Sequence, residues 1–137
     1  MKGILGHAIA IALASLGAGF AYGDDIAQDS NGIRYMSGGV GLDSREALQA
    51  KAGDYNLMVI LAVADGHYLG GAALTIRDRT GKTVLDIEAQ GPWTLTKLAP
   101  GTYTVDAKAG GVTRSGRVTI GTKGLKRVRL IWDKEPA

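Results

Sequence analysis

The pattern of apolar and polar positions changes near residue 54, where strand-like runs replace weak helical periodicity. Tyr55 to Val63 is almost continuously apolar, which is typical of a strand buried on both faces. In the runs that follow, apolar and polar residues alternate, which is the pattern of half-buried strands. Seven strands are predicted, at 55–63, 72–77, 83–88, 93–97, 103–108, 112–120 and 127–132.

Turn residues separate these runs, among them Asp78–Gly81, Gly91–Pro92, Pro100–Gly101 and Gly110–Gly111. Proline presets φ and glycine tolerates positive φ, so each pair favours a reversal of the chain. Seven short strands at a spacing of about 8 to 12 residues are typical of a sandwich. The predicted fold is all-β, a seven-stranded Greek-key β-sandwich with one short N-terminal helix.

The start of the chain has the pattern of an export signal. Met1–Lys2 carries a positive charge, and 3–21 has no Lys, Arg, Asp or Glu and ends in small residues. This predicts a secretory signal peptide cleaved after Ala21 or after Gly23. A retained anchor is the alternative, because about 19 apolar residues nearly span a bilayer. We expect cleavage and a periplasmic or secreted protein.

Between the leader and the first strand the sequence is polar and rich in glycine. Ser37–Gly41 reads Ser-Gly-Gly-Val-Gly, which favours an extended arm. A short helix is predicted next, capped by Asp43 or Ser44 and ended by Gly53. The predicted organisation is a signal peptide at 1–21, an extended polar and glycine-rich arm at 22–42, a helix at 43–53, the sandwich at 54–133 and a tail at 134–137.

Composition and charge narrow the function classes. The chain has no cysteine, which excludes a disulfide scaffold, a thiolate zinc site and a Cys nucleophile. The net charge of +3 is unevenly distributed. Seven acidic and three basic residues in 24–66 give −4, whereas six acidic and twelve basic residues in 67–137 give +6. The second half therefore suits an acidic partner, or it is an ordinary solvated face.

Two stretches resemble a known family. Tyr68–Gly81, Tyr-Leu-Gly-Gly-Ala-Ala-Leu-Thr-Ile-Arg-Asp-Arg-Thr-Gly, resembles the opening of carboxypeptidase regulatory-like domains, a glycine-led strand that ends in Asp-x-x-Gly. Trp93–Val105 resembles the family's second hallmark, aromatic-x-Leu followed by Leu-x-Pro-Gly-x-Tyr-x-Val. The resemblance covers about residues 55–132. It implies a prealbumin-like (transthyretin-like) sandwich that serves as a packing or binding module without catalytic residues.

One departure limits what the resemblance implies. Gln90–Pro92 stands where many relatives have Asp-x-x-Gly, so no calcium or carbohydrate role is carried over. Trp93 and Trp132 are interpreted as core residues rather than ligand platforms. Tyr103 is also interpreted as core, with its hydroxyl bonded to backbone near the turn as in a tyrosine corner.

The sequence contains no recognised catalytic pattern. His67 is the one histidine after the leader, and the sequence has neither Gly-x-Ser-x-Gly nor His-Glu-x-x-His. Transthyretin-like hydroxyisourate hydrolases use several histidines and a C-terminal tetrapeptide ending in Ser, whereas this chain ends at 133–137 in Asp-Lys-Glu-Pro-Ala. We expect no enzyme activity, no cofactor and no metal site. Asp24, Asp25 and Asp29 are interpreted as a solvated terminus.

The basic residues of the last two strands are the candidate site. If these strands form a hairpin, Arg117, Arg127 and Arg129 share one outward face. Such a face is a candidate contact for lipid phosphate, a glycan carboxylate or an acidic protein. Nucleic acid is not expected, because no aromatic residues are interleaved with the charges.

Three functions remain open. The first is a non-catalytic periplasmic interaction module that contacts another envelope protein. The second is a carbohydrate- or peptidoglycan-binding module, which requires exposed aromatic side chains, so the exposure of Trp93 and Trp132 distinguishes it from the first. The third is a chaperone-like or inhibitor role, in which Tyr35–Gly41 adds a strand to a partner.

Overall fold

Two β-sheets and one short helix make up residues 27–136, the part of the chain that this computed structural model describes. The predicted signal peptide and both predicted cleavage points lie outside the described residues. The helix is α1 (Leu42–Lys51), followed by a 3₁₀ turn at Ala52–Asp54. The strands are β1 (Gln28–Ser30), β2 (Ile33–Gly38), β3 (Leu57–Val63), β4 (Ala73–Asp78), β5 (Thr83–Glu88), β6 (Trp93–Thr96), β7 (Gly101–Ala109), β8 (Val112–Ile120) and β9 (Lys126–Trp132).

The sheets have five and four strands. The five-stranded sheet has the order β1-β2-β6-β3-β9, and the four-stranded sheet has the order β5-β4-β7-β8. Neighbours are antiparallel throughout, except that β3 pairs with β9 in parallel. The prediction of an all-β sandwich with one short helix is confirmed. The seven predicted strands correspond to β3–β9, and the described chain adds β1 and β2.

The main core lies between the two sheets. Alternate residues of each strand point inward, because successive side chains of a strand face opposite sides. Burying these apolar side chains is the dominant stabilising term for the fold. The most fully buried members are Leu57, Val59, Leu61, Ala72, Leu74, Ile76, Leu85, Val105, Ala107 and Trp132.

The predicted extended arm is wrong over its described part. Residues 28–38 form the β1–β2 hairpin, and β2 lies between β1 and β6. Asn31 and Gly32 both have positive φ, as the tight turn requires. Ser37 is buried, but its hydroxyl is 3.0 Å from that of Thr94 and accepts a hydrogen bond from the backbone N–H of Gln90. Ile33–Tyr35 lie opposite β1, and Tyr35–Gly38 pair with β6. This segment is therefore part of the sheet of its own chain, which weakens the third hypothesis.

The last two strands do not form the predicted hairpin. β8 is the edge of the four-stranded sheet and β9 the edge of the five-stranded sheet, so they face each other across the core. A Cβ built on Gly116 would lie 3.0 Å from Val128 Cγ1 and 3.2 Å from Leu130 Cδ2. Glycine therefore allows the two edges to approach closely. Alternation along a strand shows which side chains point inward, but it does not identify the strand's neighbour.

Helix α1 lies on the outer face of the five-stranded sheet, the face directed away from the main core. It begins after Gly41, and neither predicted cap acts as one: no side chain caps the first turn, and the Ser44 hydroxyl accepts a hydrogen bond from the backbone N–H of Gly39 at 2.7 Å. Beneath the helix lies a second apolar cluster, formed by Met36, Leu48, Tyr55, Met58, Trp93 and Leu95. The helix thus covers a sheet face that is apolar in its own right.

Candidate functional site

The outer face of the five-stranded sheet ends in basic residues on β9. Residues paired directly across neighbouring strands share a face, so the register defines rows of side chains. One row is Met36, Leu95, Met58 and Arg127; the next is Gly38, Trp93, Ile60 and Arg129; the third is Tyr68, Ala62 and Ile131. The rows are apolar up to β9, where two of them end in an arginine and the third ends in Ile131.

Trp93 lies at the centre of this face. Its side chain is 7% exposed, and the backbone of Gly39 packs on it, since a Cβ on Gly39 would lie 3.2 Å from Trp93 Cβ and Cγ. The Tyr68 ring makes a T-shaped contact with it, with 6.1 Å between ring centroids. The indole Nε1 of Trp93 is buried and has no hydrogen-bond partner within residues 27–136.

Arg45 connects the helix to Tyr68. Its Cζ lies 4.9 Å from the centroid of the Tyr68 ring, within the range of a cation–π contact. The same guanidinium donates a hydrogen bond of 3.0 Å to the carbonyl oxygen of Gly39. One arginine therefore holds together the start of α1, the segment over Trp93 and the loop after β3.

Apolar side chains remain exposed around the start of α1. Val40 is 66% exposed, Leu42 is 63% exposed and Tyr68 is 43% exposed. Val40 follows the glycine that packs on Trp93, and Leu42 precedes Arg45 by one helical turn. We call Val40, Leu42, Arg45 and Tyr68 the helix-end patch. Single exposed apolar residues are common, but three of them beside one helix end, which Arg45 links to Tyr68, are typical of an interaction surface.

The free edge of β9 is the second part of this surface. Lys126 N–H donates to Asn56 O and Ala64 N–H donates to Trp132 O, so the even-numbered residues of β9 form the ladder with β3. In a parallel ladder alternate residues make the bonds, so the peptide groups of Arg127 and Arg129 point away from β3. Both side chains are exposed, and neither makes a hydrogen bond or ion pair within the described chain.

The structure separates the predicted arginine trio. Arg127 and Arg129 share the outer face of the five-stranded sheet, as alternation along one strand requires. Arg117 is on β8 and faces outward from the four-stranded sheet, opposite Thr104 of β7. The prediction of one shared face is therefore wrong, because it depended on the hairpin that does not form.

His67 lies in an exposed turn. Its Nδ1 is 3.1 Å from Asp65 Oδ2, and its backbone N–H donates to Asp65 Oδ1 at 3.0 Å. A side chain that accepts a bond from the backbone two residues later is an ordinary turn feature. Over residues 27–136, no group of three or more His, Asp or Glu side chains is placed to hold a metal ion.

The predicted core roles of the aromatic residues agree with the structure. Trp132 is 1% exposed, and its Nε1 donates to Val112 O at 3.1 Å. The Tyr103 hydroxyl donates to Ala99 O at 2.6 Å, which is the predicted bond to backbone near the turn. The helix-end patch was not predicted from the sequence. The one sign of it in the sequence is the apolar pair Val40 and Leu42, since both lie in a segment that is otherwise polar.

No protein-family model matches the sequence, and a search of curated proteins gives no match. Among solved structures, the chain is similar to the crystal structure of the C-terminal domain of the PapC usher. That match has a TM-score of 0.33 and 22% identity, and it covers 55% of this chain and 94% of the other. A likeness this distant carries no argument about function. Within residues 27–136 no helix is long and apolar enough to cross a membrane.

Proposed function

We propose that this chain is a non-catalytic binding module that docks a partner protein on the outer face and free edge of its five-stranded sheet. The observation that carries the proposal is the helix-end patch. Helix α1 covers one part of an apolar sheet face and leaves Val40, Leu42 and Tyr68 exposed beside it. Covering these side chains would remove apolar surface from water, which is the main driving force of protein association.

The charges around this surface define the chemistry of the partner. Arg45 lies within the patch, and Arg127 and Arg129 lie at the β9 edge. The complementary surface therefore has apolar side chains with carboxylates at its rim. Opposite charges of this kind mainly accelerate association and set orientation, whereas the apolar contacts supply most of the affinity. An acidic rim on the partner also agrees with the net charge of +6 carried by residues 67–137.

The family and the location belong to the same proposal. The hallmarks in Tyr68–Gly81 and Trp93–Val105 support a carboxypeptidase regulatory-like domain, a family of binding modules. The leader pattern in 1–21 supports export and a periplasmic partner. The absence of catalytic motifs in the sequence supports a non-enzymatic role.

The glycan-binding alternative has less support. Sugar rings stack on exposed aromatic faces, and both tryptophans are buried, at 7% and 1% exposure. Tyr68 is the most exposed aromatic side chain of the described residues, and Arg45 already covers one of its faces. The patch therefore suits an apolar protein surface better than a sugar.

Site-specific photocrosslinking in cells of the native host tests the proposal. A benzophenone amino acid is placed at Leu42, and in a matched control at Thr113, which is exposed on β8 of the other sheet. We expect one dominant protein crosslink from position 42 and none from position 113. The charge reversals Arg127→Glu and Arg129→Glu should weaken the crosslink at low salt, whereas Arg117→Glu should leave it unchanged.

Two outcomes would contradict the proposal. Equal crosslinking from positions 42 and 113 would show that the sheet face is not a preferred surface. Retention of the protein on peptidoglycan, without any protein crosslink from position 42, would favour the glycan-binding alternative.

A further inference from the structure

A basic concavity lies on the outer face of the four-stranded sheet, on the opposite side of the sandwich from the helix-end patch. Its volume is about 400 Å³. It is lined by Arg79, Thr102, Arg117, Val118 and Thr119. Two arginines and two threonines thus line one open depression.

The turn between β4 and β5 presents Arg79. The Asp78 carboxylate accepts hydrogen bonds from the Thr80 hydroxyl at 2.6 Å, the Thr80 N–H at 2.9 Å and the Lys82 N–H at 3.1 Å. Three bonds to one oxygen fix the course of the turn on both sides of Arg79. The backbone that carries this arginine is therefore preorganised, which lowers the entropy cost of binding a ligand.

The pairing of β7 with β8 forms the floor of the concavity. Thr102 is directly opposite Thr119, and their hydroxyl oxygens are 3.2 Å apart. One hydroxyl donates to the other, so the accepting hydroxyl keeps its own proton for a further bond. Arg117 lies two residues before Thr119 on the same face of β8.

The charge of the concavity is not neutralised by the protein. The side chains of Arg79 and Arg117 make no hydrogen bond or ion pair with any residue in 27–136. Asp106, a carboxylate on this face, is paired with Arg77 and also accepts from the Ser115 hydroxyl. The Asp78 carboxylate accepts three hydrogen bonds within its own turn. Both arginines of the depression are therefore without an ion-pair partner among the described residues.

We infer that the Arg79–Arg117 concavity binds a phosphate monoester. Such a group carries a charge of about −1.5 to −2 and three acceptor oxygens, which match two guanidinium groups and one free hydroxyl proton. A carboxylate has one charge and two oxygens, so it would leave donors unused. The phosphate has two possible sources, a soluble phosphate ester or a lipid headgroup. The inference is independent of the proposed function, since it concerns the other sheet.

NMR titration of the purified protein with glycerol 3-phosphate is the first test. We expect saturable shifts of the backbone amides of Arg79, Thr102, Arg117 and Thr119. The double substitution Arg79→Gln and Arg117→Gln should weaken binding by about tenfold or more, as expected for loss of charge-assisted bonds. The matched control is Arg127→Gln with Arg129→Gln, which removes the same charge from the other sheet and should change binding less than about twofold.

The substitutions Arg79→Lys and Arg117→Lys separate geometry from charge. Lysine keeps the charge but cannot form the bidentate bonds of a guanidinium, so we expect intermediate affinity. Both arginines are on the surface, and the unchanged amide shifts of the core report that the variants are folded. Two results together would overturn the inference: full affinity in the lysine variant, and an equal loss of affinity in the matched control. They would show that the ligand is attracted by the net positive charge alone and not by these two arginines.

Flotation with vesicles distinguishes the two sources of phosphate. The probes are phosphatidylcholine vesicles with and without phosphatidic acid, whose headgroup is the same monoester. Binding to glycerol 3-phosphate that needs the two arginines supports a soluble ligand. Binding only to vesicles that contain phosphatidic acid, with the same dependence, supports a lipid-borne ligand. Binding to neither probe overturns the inference.

Discussion

The guanidinium of Arg45 lies over the ring of Tyr68, with Cζ 4.9 Å from the ring centroid. The two residues belong to different segments, the first turn of α1 and the loop after β3. Their contact fixes the position of the helix end relative to Trp93, which Tyr68 touches from the side. This pair, together with the hydrogen bond from Arg45 to Gly39 O, therefore shapes the helix-end patch.

A double-mutant cycle measures the Arg45–Tyr68 contact. Arg45→Gln and Tyr68→Leu, alone and together, should give a coupling of about 0.5–1 kcal/mol in the free energy of unfolding, because a cation–π contact at an exposed site has this strength. Urea denaturation provides the values. The control cycle pairs Lys51→Gln, on the exposed side of the same helix, with Tyr68→Leu. Equal couplings in the two cycles would refute a specific contact.

Gly91 is a position where an added methyl group has no room. A Cβ built there would lie 2.3 Å from the carbonyl oxygen of Gly38, a backbone atom of β2. Gly91→Ala should therefore lower the free energy of unfolding by roughly 3 kcal/mol, because β2 and the start of β6 must separate. Gly121→Ala is the matched control, since no atom lies within 4 Å of its added Cβ. Chemical denaturation should show a change within about 1 kcal/mol for the control.

The carboxyl group of Asp78 gives the β4–β5 turn a pH dependence. The hydrogen bond from the Thr80 hydroxyl, with smaller contributions from the N–H groups of Lys82 and Thr80, lowers the pKa of Asp78 below its ordinary value. A carboxyl group with a lowered folded pKa stabilises the fold above its unfolded pKa, about 4, and that contribution is lost as the pH falls through the folded pKa.

Comparison of wild type with Asp78→Asn tests this dependence. The free energies of unfolding of the two proteins should differ most near neutral pH. The difference should shrink below about pH 4, the ordinary pKa of an aspartate side chain. Thr80→Val removes the main donor while keeping the shape of the side chain. An NMR titration should then show the pKa of Asp78 closer to its ordinary value. An unchanged pKa in this variant would mean that the Thr80 hydroxyl is not the cause.

The hydroxyl of Tyr103 anchors the turn before β7 through its 2.6 Å bond to Ala99 O. Tyr103→Phe should lower the free energy of unfolding at pH 7 by about 1 kcal/mol, the usual net value of such a bond. Burial raises the pKa of Tyr103, and the charge of Asp78 raises it further. A group with a raised folded pKa stabilises the fold below its unfolded pKa, near 10, and loses that contribution as the pH rises through the folded pKa.

Denaturation of wild type and Tyr103→Phe at pH 7 and above pH 10, about the ordinary pKa of tyrosine, measures both effects. The gap between the two proteins should narrow at the higher pH. Tyr35→Phe is the control, because its hydroxyl makes one exposed bond to Gln28 Oε1 and should contribute little. A gap that stays constant with pH would contradict the assignment.

Most of the fold follows from the alternation of side chains. A continuous apolar run locates β3, which is buried on both faces, and period-two runs bounded by turn residues locate β4 to β9. The β1–β2 hairpin was not predicted, because β1 is short and polar and the glycines after β2 favoured an extended arm, although Asn31–Gly32 is a strong hairpin signal. The prediction that β8 and β9 form a hairpin was wrong. Two strands that face each other across a core show the same alternation of apolar and polar residues as two neighbours in one sheet.

The candidate site was predictable only within single strands. Arg127 and Arg129 lie two residues apart on β9, so their common face follows from the sequence alone. The convergence of Arg79 with Arg117 joins a turn to a distant strand, and the contact of Arg45 with Tyr68 joins a helix to a loop. Contacts of this kind depend on tertiary packing, which no local pattern encodes.

The parallel pair of β3 and β9 also determines when the fold can be completed. β3 is an almost fully buried strand in the interior of the five-stranded sheet, and it reaches its last neighbour only after residues 64–132 have been synthesised. Until then one side of an apolar strand stays open, and unpaired apolar strands readily aggregate. A nascent chain therefore passes through a stage in which early release or stalled synthesis leaves the aggregation-prone strand β3 exposed. A holdase chaperone that covers β3 during that interval would raise the yield of folded protein.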